Sequence, residues 1–305
     1  MRLLITGASG LLGLNLSLLA QNLGYDVVGF VNTHPLRDVP FEVRLVDLLD
    51  ISAAEKVFEE SQPDAIIHCA ALADVGKAER NPSLAQRLNV DVPGMIAQRA
   101  FEWGIQLIHI STDAIFDGKG GGYRETDEPN PLSVYARSKL AGEWIIQESN
   151  PDALIARVVF YGWSLSGSRS LSEFFYNHLK DGHPVKGFVD TFFSPLYVED
   201  LGEILLEMLE KELKGIYHVV SPESLSKYDF GVKIAQKFGY DPALIEPVKM
   251  REIKREAPRS LNLTLNPDKL QENLDRSLPS IDQGISRLYE RWEQGYHDRL
   301  RGYFN

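Results

Sequence analysis

The chain has 305 residues, 44% of them hydrophobic and 25% charged, the make-up of a globular protein large enough for one α/β unit or a nucleotide domain with a smaller partner. Its formal net charge of −11 counts against nucleic acid as the main partner, because phosphate binding leaves a basic footprint. The single Cys69 forbids an internal disulfide, glycines come too soon after Met1 for a leader peptide, and no apolar run reaches membrane-spanning length. The expectation is a protein of the reducing cytoplasm with no membrane contact.

Short apolar runs alternate with longer amphipathic ones through the first half, the pattern of a parallel sheet covered by helices. In chain order the pattern predicts a strand over Leu3–Thr6, a helix over Leu11–Asn22 and strands over Val27–Val31 and Val43–Val46. A helix over Ala53–Glu60, a strand over Ala65–Cys69 and one long helix over Ser83–Glu102 come next. A strand over Leu107–Ile110, a helix over Val134–Glu148 and a strand over Leu154–Val159 complete this half. Every strand after the first is expected to follow a crossover, giving a Rossmann-type doubly wound α/β fold. Beyond residue 160 the pattern is less regular, with helices over Ser172–Lys180, Val198–Lys211 and Lys227–Phe238 and a strand over Gly215–Val220. The expected division is a dinucleotide-binding domain over 1–160 and a mainly substrate-binding lobe over 161–305, with segments crossing back.

Between the first strand and first helix stands Thr6-Gly7-Ala8-Ser9-Gly10-Leu11-Leu12-Gly13. Glycine suits a tight turn, a close approach to a diphosphate and close helix–strand packing, while free N–H groups and the helix dipole favour the anion. A helix start with convenient glycines is the plain alternative, but its place at the first turn of an α/β pattern favours dinucleotide binding. An acid at the tip of the second strand would grip the ribose 2′-hydroxyl of NAD. Here Asn32 stands near that tip and Arg37 follows, so NADP is expected over NAD, with Arg37 pairing with the 2′-phosphate.

Tyr135 and Lys139 are four apart on one predicted helix face. Keto reduction needs a proton for the developing alkoxide, and a tyrosine whose pKa is lowered by a nearby ammonium could supply it. Alone, such a pair is commonplace. Ser111-Thr112-Asp113 adds a hydroxyl directly after the fifth strand, at the edge where ligands bind in such sheets. Glycine turn, hydroxyl and Tyr-x-x-x-Lys in this order form a specific combination.

With these residues in place, the sequence resembles the extended short-chain dehydrogenase/reductase superfamily and, within it, the dTDP-4-dehydrorhamnose reductase family. The glycine turn, Ser111–Gly118 and Pro131–Glu143 carry most of the resemblance, supported by His68–Ala71, Pro195–Leu201 and Gly215–Val219. The resemblance implies Thr112, Tyr135 and Lys139 as catalytic hydroxyl, acid and lysine, and a contact from Lys139 to the nicotinamide ribose. It further implies Asp47 and Leu48 near the adenine, Ala70 and Ala71 along the cofactor cleft, and Asn89 in a proton relay beside Lys139, a plain backbone contact being the alternative. The expected activity is NAD(P)H-dependent reduction of a keto group on a sugar or nucleotide-sugar. A nucleotide-sugar epimerase or dehydratase, or a non-catalytic subunit resembling the methionine adenosyltransferase β subunit, are the alternatives.

Three segments depart from the family pattern: Val75–Glu79, Arg157–Gly162 and Arg259-Ser260. They fall where substrate is expected, so Tyr161, Trp163 and Arg259 are the substrate candidates, with Phe192–Leu196 facing the nicotinamide. Trp103 and Trp144 read as core, and His68 and His109 as interior residues within strands. No histidine spacing suggests a metal. A small sugar or nucleotide-sugar is the expected partner, and a homodimer is the oligomer this reading leaves room for.

Overall fold

The structure, a computed structural model, describes residues 1–253 and 260–304. Seven parallel strands form the central sheet: β1 (Arg2–Thr6), β2 (Asp26–Val31), β3 (Glu42–Leu45), β4 (Ala65–His68), β5 (Gln106–Thr112), β6 (Leu154–Val158) and β7 (Gly215–Val219). Their spatial order is β7-β6-β5-β4-β1-β2-β3, so the direction of winding reverses between β1 and β4, where doubly wound sheets bind ligands beyond their carboxyl ends. The strands are apolar on both faces because both are covered. Leu3 and Ile5 join one cluster with Leu14 and Leu205, while Leu4 joins Phe58, Val92 and Ile96 on the other side.

The main helices are α1 (Leu11–Asn22), α2 (Ile51–Ser61), α3 (Val92–Trp103), α4 (Val134–Ser149), α5 (Leu171–Lys180), α6 (Val198–Glu210), α7 (Lys227–Phe238), α8 (Ile281–Glu293) and α9 (Tyr296–Gly302). β7 returns from the second half of the chain to pair with β6, and α6 packs against α1. No described helix is long and apolar enough to cross a membrane.

Three details differ from the sequence pattern. β2 and β3 pair in parallel without a helical crossover, leaving β3 as an edge strand with Leu45 exposed. The long helix expected over 83–102 is broken by a π turn at Arg87–Asp91. Pro93 has no N–H to give the Asn89 carbonyl four residues earlier. That carbonyl instead faces Gly142 of α4 so closely that a side chain there would collide with it. Finally, α8 and α9 lie in a stretch without a predicted helix. The start of α8 is a capping box, with Ser280 accepting from the Gln283 N–H at 3.1 Å and Gln283 accepting from the Ser280 N–H at 2.8 Å. Trp144, expected in the core, is 61% exposed.

Candidate active site

The glycine turn is built for close backbone approach. Gly7 has φ +66°, and a Cβ there would lie 2.9 Å from the Ala70 backbone, so the segment after β4 that holds Ala70 and Ala71 lies against the turn. A side chain on Gly13 would run into the Gly7 carbonyl. Gly10 caps α1 with no side-chain acceptor and no acidic residue in the first turn. The Gly10 N–H donates to the Gly7 carbonyl at 2.8 Å, while the amides of Ser9, Leu11 and Leu12 suit an anion such as a dinucleotide diphosphate. This chemistry fits the cofactor that the sequence implied.

At the tip of β2 the Asn32 amide donates to Asp47 Oδ1 at 3.3 Å, which ties the segment after β3 to the strand tip. Leu48 is buried beside Phe58 and serves packing. Arg37 is exposed, and its backbone N–H donates to the Tyr303 carbonyl at 2.9 Å. Its side chain lines none of the cavities described below.

Thr112 ends β5, and Tyr135 and Lys139 lie on the first two turns of α4. Ser133 fixes the start of that helix by accepting from the Ala136 N–H at 3.2 Å. The Thr112 hydroxyl hydrogen-bonds Tyr135 and donates to Asp113 Oδ1 at 3.1 Å. Burial lifts Asp113 to about 6, opposed by the Thr112 hydrogen bond and the charge of Lys227. Thr112, Asp113 and Tyr135 face a cavity of about 670 Å³, whose wall includes Phe160, Phe174, Phe188, Phe192, Phe193 and Met250, with Lys186 and Lys227 among its polar members.

The electrostatics of the pair differ from expectation. Burial pushes the Tyr135 phenol up to about 12, with the Thr112 hydrogen bond opposing and Asp113 adding to the rise. Lys139 is not among the groups that offset this; its ammonium donates to the Ile110 carbonyl at 2.8 Å and to His109 Nε2 at 3.0 Å. Burial lowers Lys139 to about 8 against the favourable charge of Glu143. His109 is held well below its ordinary value by burial and by Lys139, so it is neutral and its Nε2 can accept. The sheet register sets Thr6, His68 and His109 side by side across β1, β4 and β5. Sequence pattern marked the two histidines as interior, but their proximity to Lys139 needed the register.

Asn89 is fully occupied by structure. Its Oδ1 accepts from the Leu72 N–H at 2.8 Å, and its Nδ2 donates to the Leu72 carbonyl and to Ser138 Oγ. The backbone-contact alternative is what the geometry displays.

Two substrate candidates are corrected. Tyr161 and Trp163 are each 1% exposed and line no part of the large cavity. Tyr161 donates to the Ile281 carbonyl and Trp163 Nε1 to the Leu288 carbonyl, which makes them anchors for α8. Aromatic side chains near a functional loop carry the same sequence signature in either place, and here burial against α8 decides. Of the Phe192–Leu196 segment, Phe192 and Phe193 reach the cavity, while Leu196 is core. Arg259 lies outside the described residues.

Behind Thr112 sits a buried ion pair. Register places Ser111, Arg157 and His218 in one row across β5, β6 and β7. Arg157 Nη2 meets Glu143 Oε2 at 2.7 Å, and Ser111 donates to the same carboxylate. Glu143 continues the stripe of Tyr135 and Lys139 along α4.

Comparison with known proteins places this geometry. The family model described as RmlD substrate binding domain matches residues 1–294. A probable low-salt glycan biosynthesis reductase, Agl14 of Haloferax volcanii, is 34% identical over 93% of this chain and 96% of its own. The methionine adenosyltransferase 2 subunit beta of Bos taurus is 32% identical over 81% of this chain and 75% of its own. The crystal structure of a Bacillus anthracis dTDP-4-dehydrorhamnose reductase in complex with NADP superposes with a TM-score of 0.85, at 29% identity over 95% of this chain and 99% of that one. The chain belongs to the RmlD family of extended short-chain dehydrogenase/reductases, which includes the dTDP-4-dehydrorhamnose reductases.

Proposed function

We propose that the protein is a nicotinamide-dependent reductase of a keto group on a sugar, carried by a nucleotide. The observation that carries this reading is the juncture of Thr112 and Tyr135 with a cavity of about 670 Å³ at the carboxyl edge of the sheet that bears the glycine turn. Gly7, Ser9, Gly10, Leu11, Leu12 and Gly13 would hold the dinucleotide, with Ala70 and Ala71 along its cleft. When bound, the reduced cofactor supplies a hydride.

The residues supply the rest. The Thr112 hydroxyl fixes the substrate carbonyl oxygen by a hydrogen bond. Tyr135, at about 12, is protonated at neutral pH and gives its phenolic proton to that oxygen as negative charge develops there. The aromatic wall excludes water and strengthens each of these polar contacts. Lys139 keeps an ammonium below about 8, available to a ribose hydroxyl of the cofactor.

Turnover of a panel of nucleotide-activated 4-keto sugars with NADPH tests the reading, the expected result being stoichiometric NADPH loss and appearance of the hydroxyl product. Failure with every member of the panel, together with stoichiometric capture of a methionine adenosyltransferase catalytic subunit, would instead support a role as a subunit of such an enzyme, which is what the bovine relative's name states. A pH prediction follows from Lys139. Its ordinary value is 10.5 and its folded value about 8, so the ammonium is lost as pH rises through about 8. NADPH affinity is expected to fall above that pH in the native protein and to lose this limb in Lys139→Met. A titration that stays flat across it refutes the role given to the ammonium.

A further inference from the structure

Beside the glycine turn lies a second cavity, of about 440 Å³, lined by Ser9, Leu11, His34, Arg169, Arg301 and Phe304, with Ser164–Ser166 completing its wall. Its parts come from four separate stretches of chain, and hydrogen bonds lock them together. Asn15 of α1, 1% exposed, donates to the Trp163 carbonyl at 3.0 Å and accepts from the Tyr296 hydroxyl of α9 at 2.9 Å. The loop that carries Arg169 closes around the Glu173 carboxylate, which accepts from the N–H groups of Ser164, Arg169 and Ser170 at 2.7, 2.9 and 3.1 Å. The Arg301 guanidinium lies over Gly167, at φ +68°, where any side chain would displace it. On the far wall, the Phe304 ring stands 5.7 Å from the His34 ring.

This pocket concentrates positive charge on a protein whose net charge is −11. Among the described residues, Asp298, 3.7 Å from Arg301, is the one carboxylate paired with either guanidinium, and it is 71% exposed. Such a pair competes weakly with a fully ionised ligand. The location identifies the ligand. Ser9 belongs to the glycine turn and His34 follows the tip of β2, the two places between which the adenosine ribose of a dinucleotide leaves the sheet edge. Guanidinium groups bind phosphate through parallel charge-assisted hydrogen bonds.

We propose that this pocket binds the 2′-phosphate of NADPH, with Arg169 and Arg301 as its ion-pairing residues and Ser9 and His34 as neighbouring donors. The assignment rests on the reading of the protein as a nicotinamide-dependent reductase. It moves cofactor selectivity from the loop after β2, where Arg37 is turned outward, to a loop of the second lobe and to α9.

The test titrates NADPH and NADH against the native protein, Arg169→Ala, Arg301→Ala and the double variant, by nucleotide fluorescence, with thermal melting to verify folding. A hydrogen-bonded charge pair contributes enough for each single variant to bind NADPH about 10–100-fold more weakly, with NADH unchanged. Arg169 sits on a loop held by its backbone, so Arg169→Ala remains informative if Arg301→Ala loosens α9. Equal weakening of NADPH and NADH assigns the arginines to the shared diphosphate and overturns the proposal, as does unchanged NADPH binding. Native protein that binds neither nucleotide sinks the reductase reading itself, whereas native binding with unaltered variants sinks only this assignment.

Discussion

Tyr135→Phe is expected to lower kcat by roughly 10²–10⁴-fold, the usual worth of a positioned general acid, with NADPH affinity nearly unchanged. The substitution keeps the ring and removes only the transferable proton and the hydrogen bond with Thr112. The glycine turn is untouched, so cofactor binding has no reason to move. Thr112→Val should lower kcat as well, because the carbonyl oxygen loses its second partner. Steady-state kinetics beside NADPH titration separates these effects, and a folded Tyr135→Phe protein with near-native turnover would show that the helix pair is not the catalytic acid.

The largest stability effect is expected at Glu143. Its carboxylate is 1% exposed and Arg157 is 3% exposed, and the Arg157 guanidinium also meets both carboxylate oxygens through Nε. Glu143→Gln leaves a cation in the interior without its counter-charge, which costs about 3–5 kcal/mol. Replacing both partners, as in Glu143→Leu with Arg157→Leu, is expected to cost less than the single change, because no uncompensated charge remains. The same single change should bring the basic limb of activity to lower pH, since Glu143 is the first of the charges that sustain the Lys139 ammonium. Chemical denaturation of the three proteins measures the first effect and pH–rate profiles the second. A double variant less stable than Glu143→Gln would mean that packing, and not charge, dominates the site.

Features set by neighbouring residues were legible in the sequence. The glycine turn needs three glycines within seven residues at one strand-to-helix junction, and the Tyr135–Lys139 spacing is a property of one helix. Both appear where the pattern put them. The π turn could have been anticipated from Pro93, since the lost N–H falls opposite Asn89. The start of α8 could likewise have been anticipated from the Ser280 and Gln283 capping pair. Other features depend on contacts between remote segments. The partnership of Lys139 with His109 arises from strand register, and Tyr161 and Trp163 became core because α8 returns over them. Arg169 and Arg301 are separated by more than a hundred positions, and contacts between remote segments, those of Asn15 among them, bring them to one pocket.

The pairing of β6 with β7 has a consequence for synthesis. Residues 159–214 intervene between the two strands, so a nascent chain that has already formed the first six strands presents β6 as an open edge. At about 5–20 residues per second this edge waits for several seconds before its partner leaves the ribosome. Leu154, Ile155, Ala156 and Val158 on that strand are all apolar and end up buried, the composition most prone to pairing with another chain when exposed. Slow translation through the second lobe therefore lengthens the period of aggregation risk, and a chaperone that shields extended apolar segments would act on this protein before β7 docks.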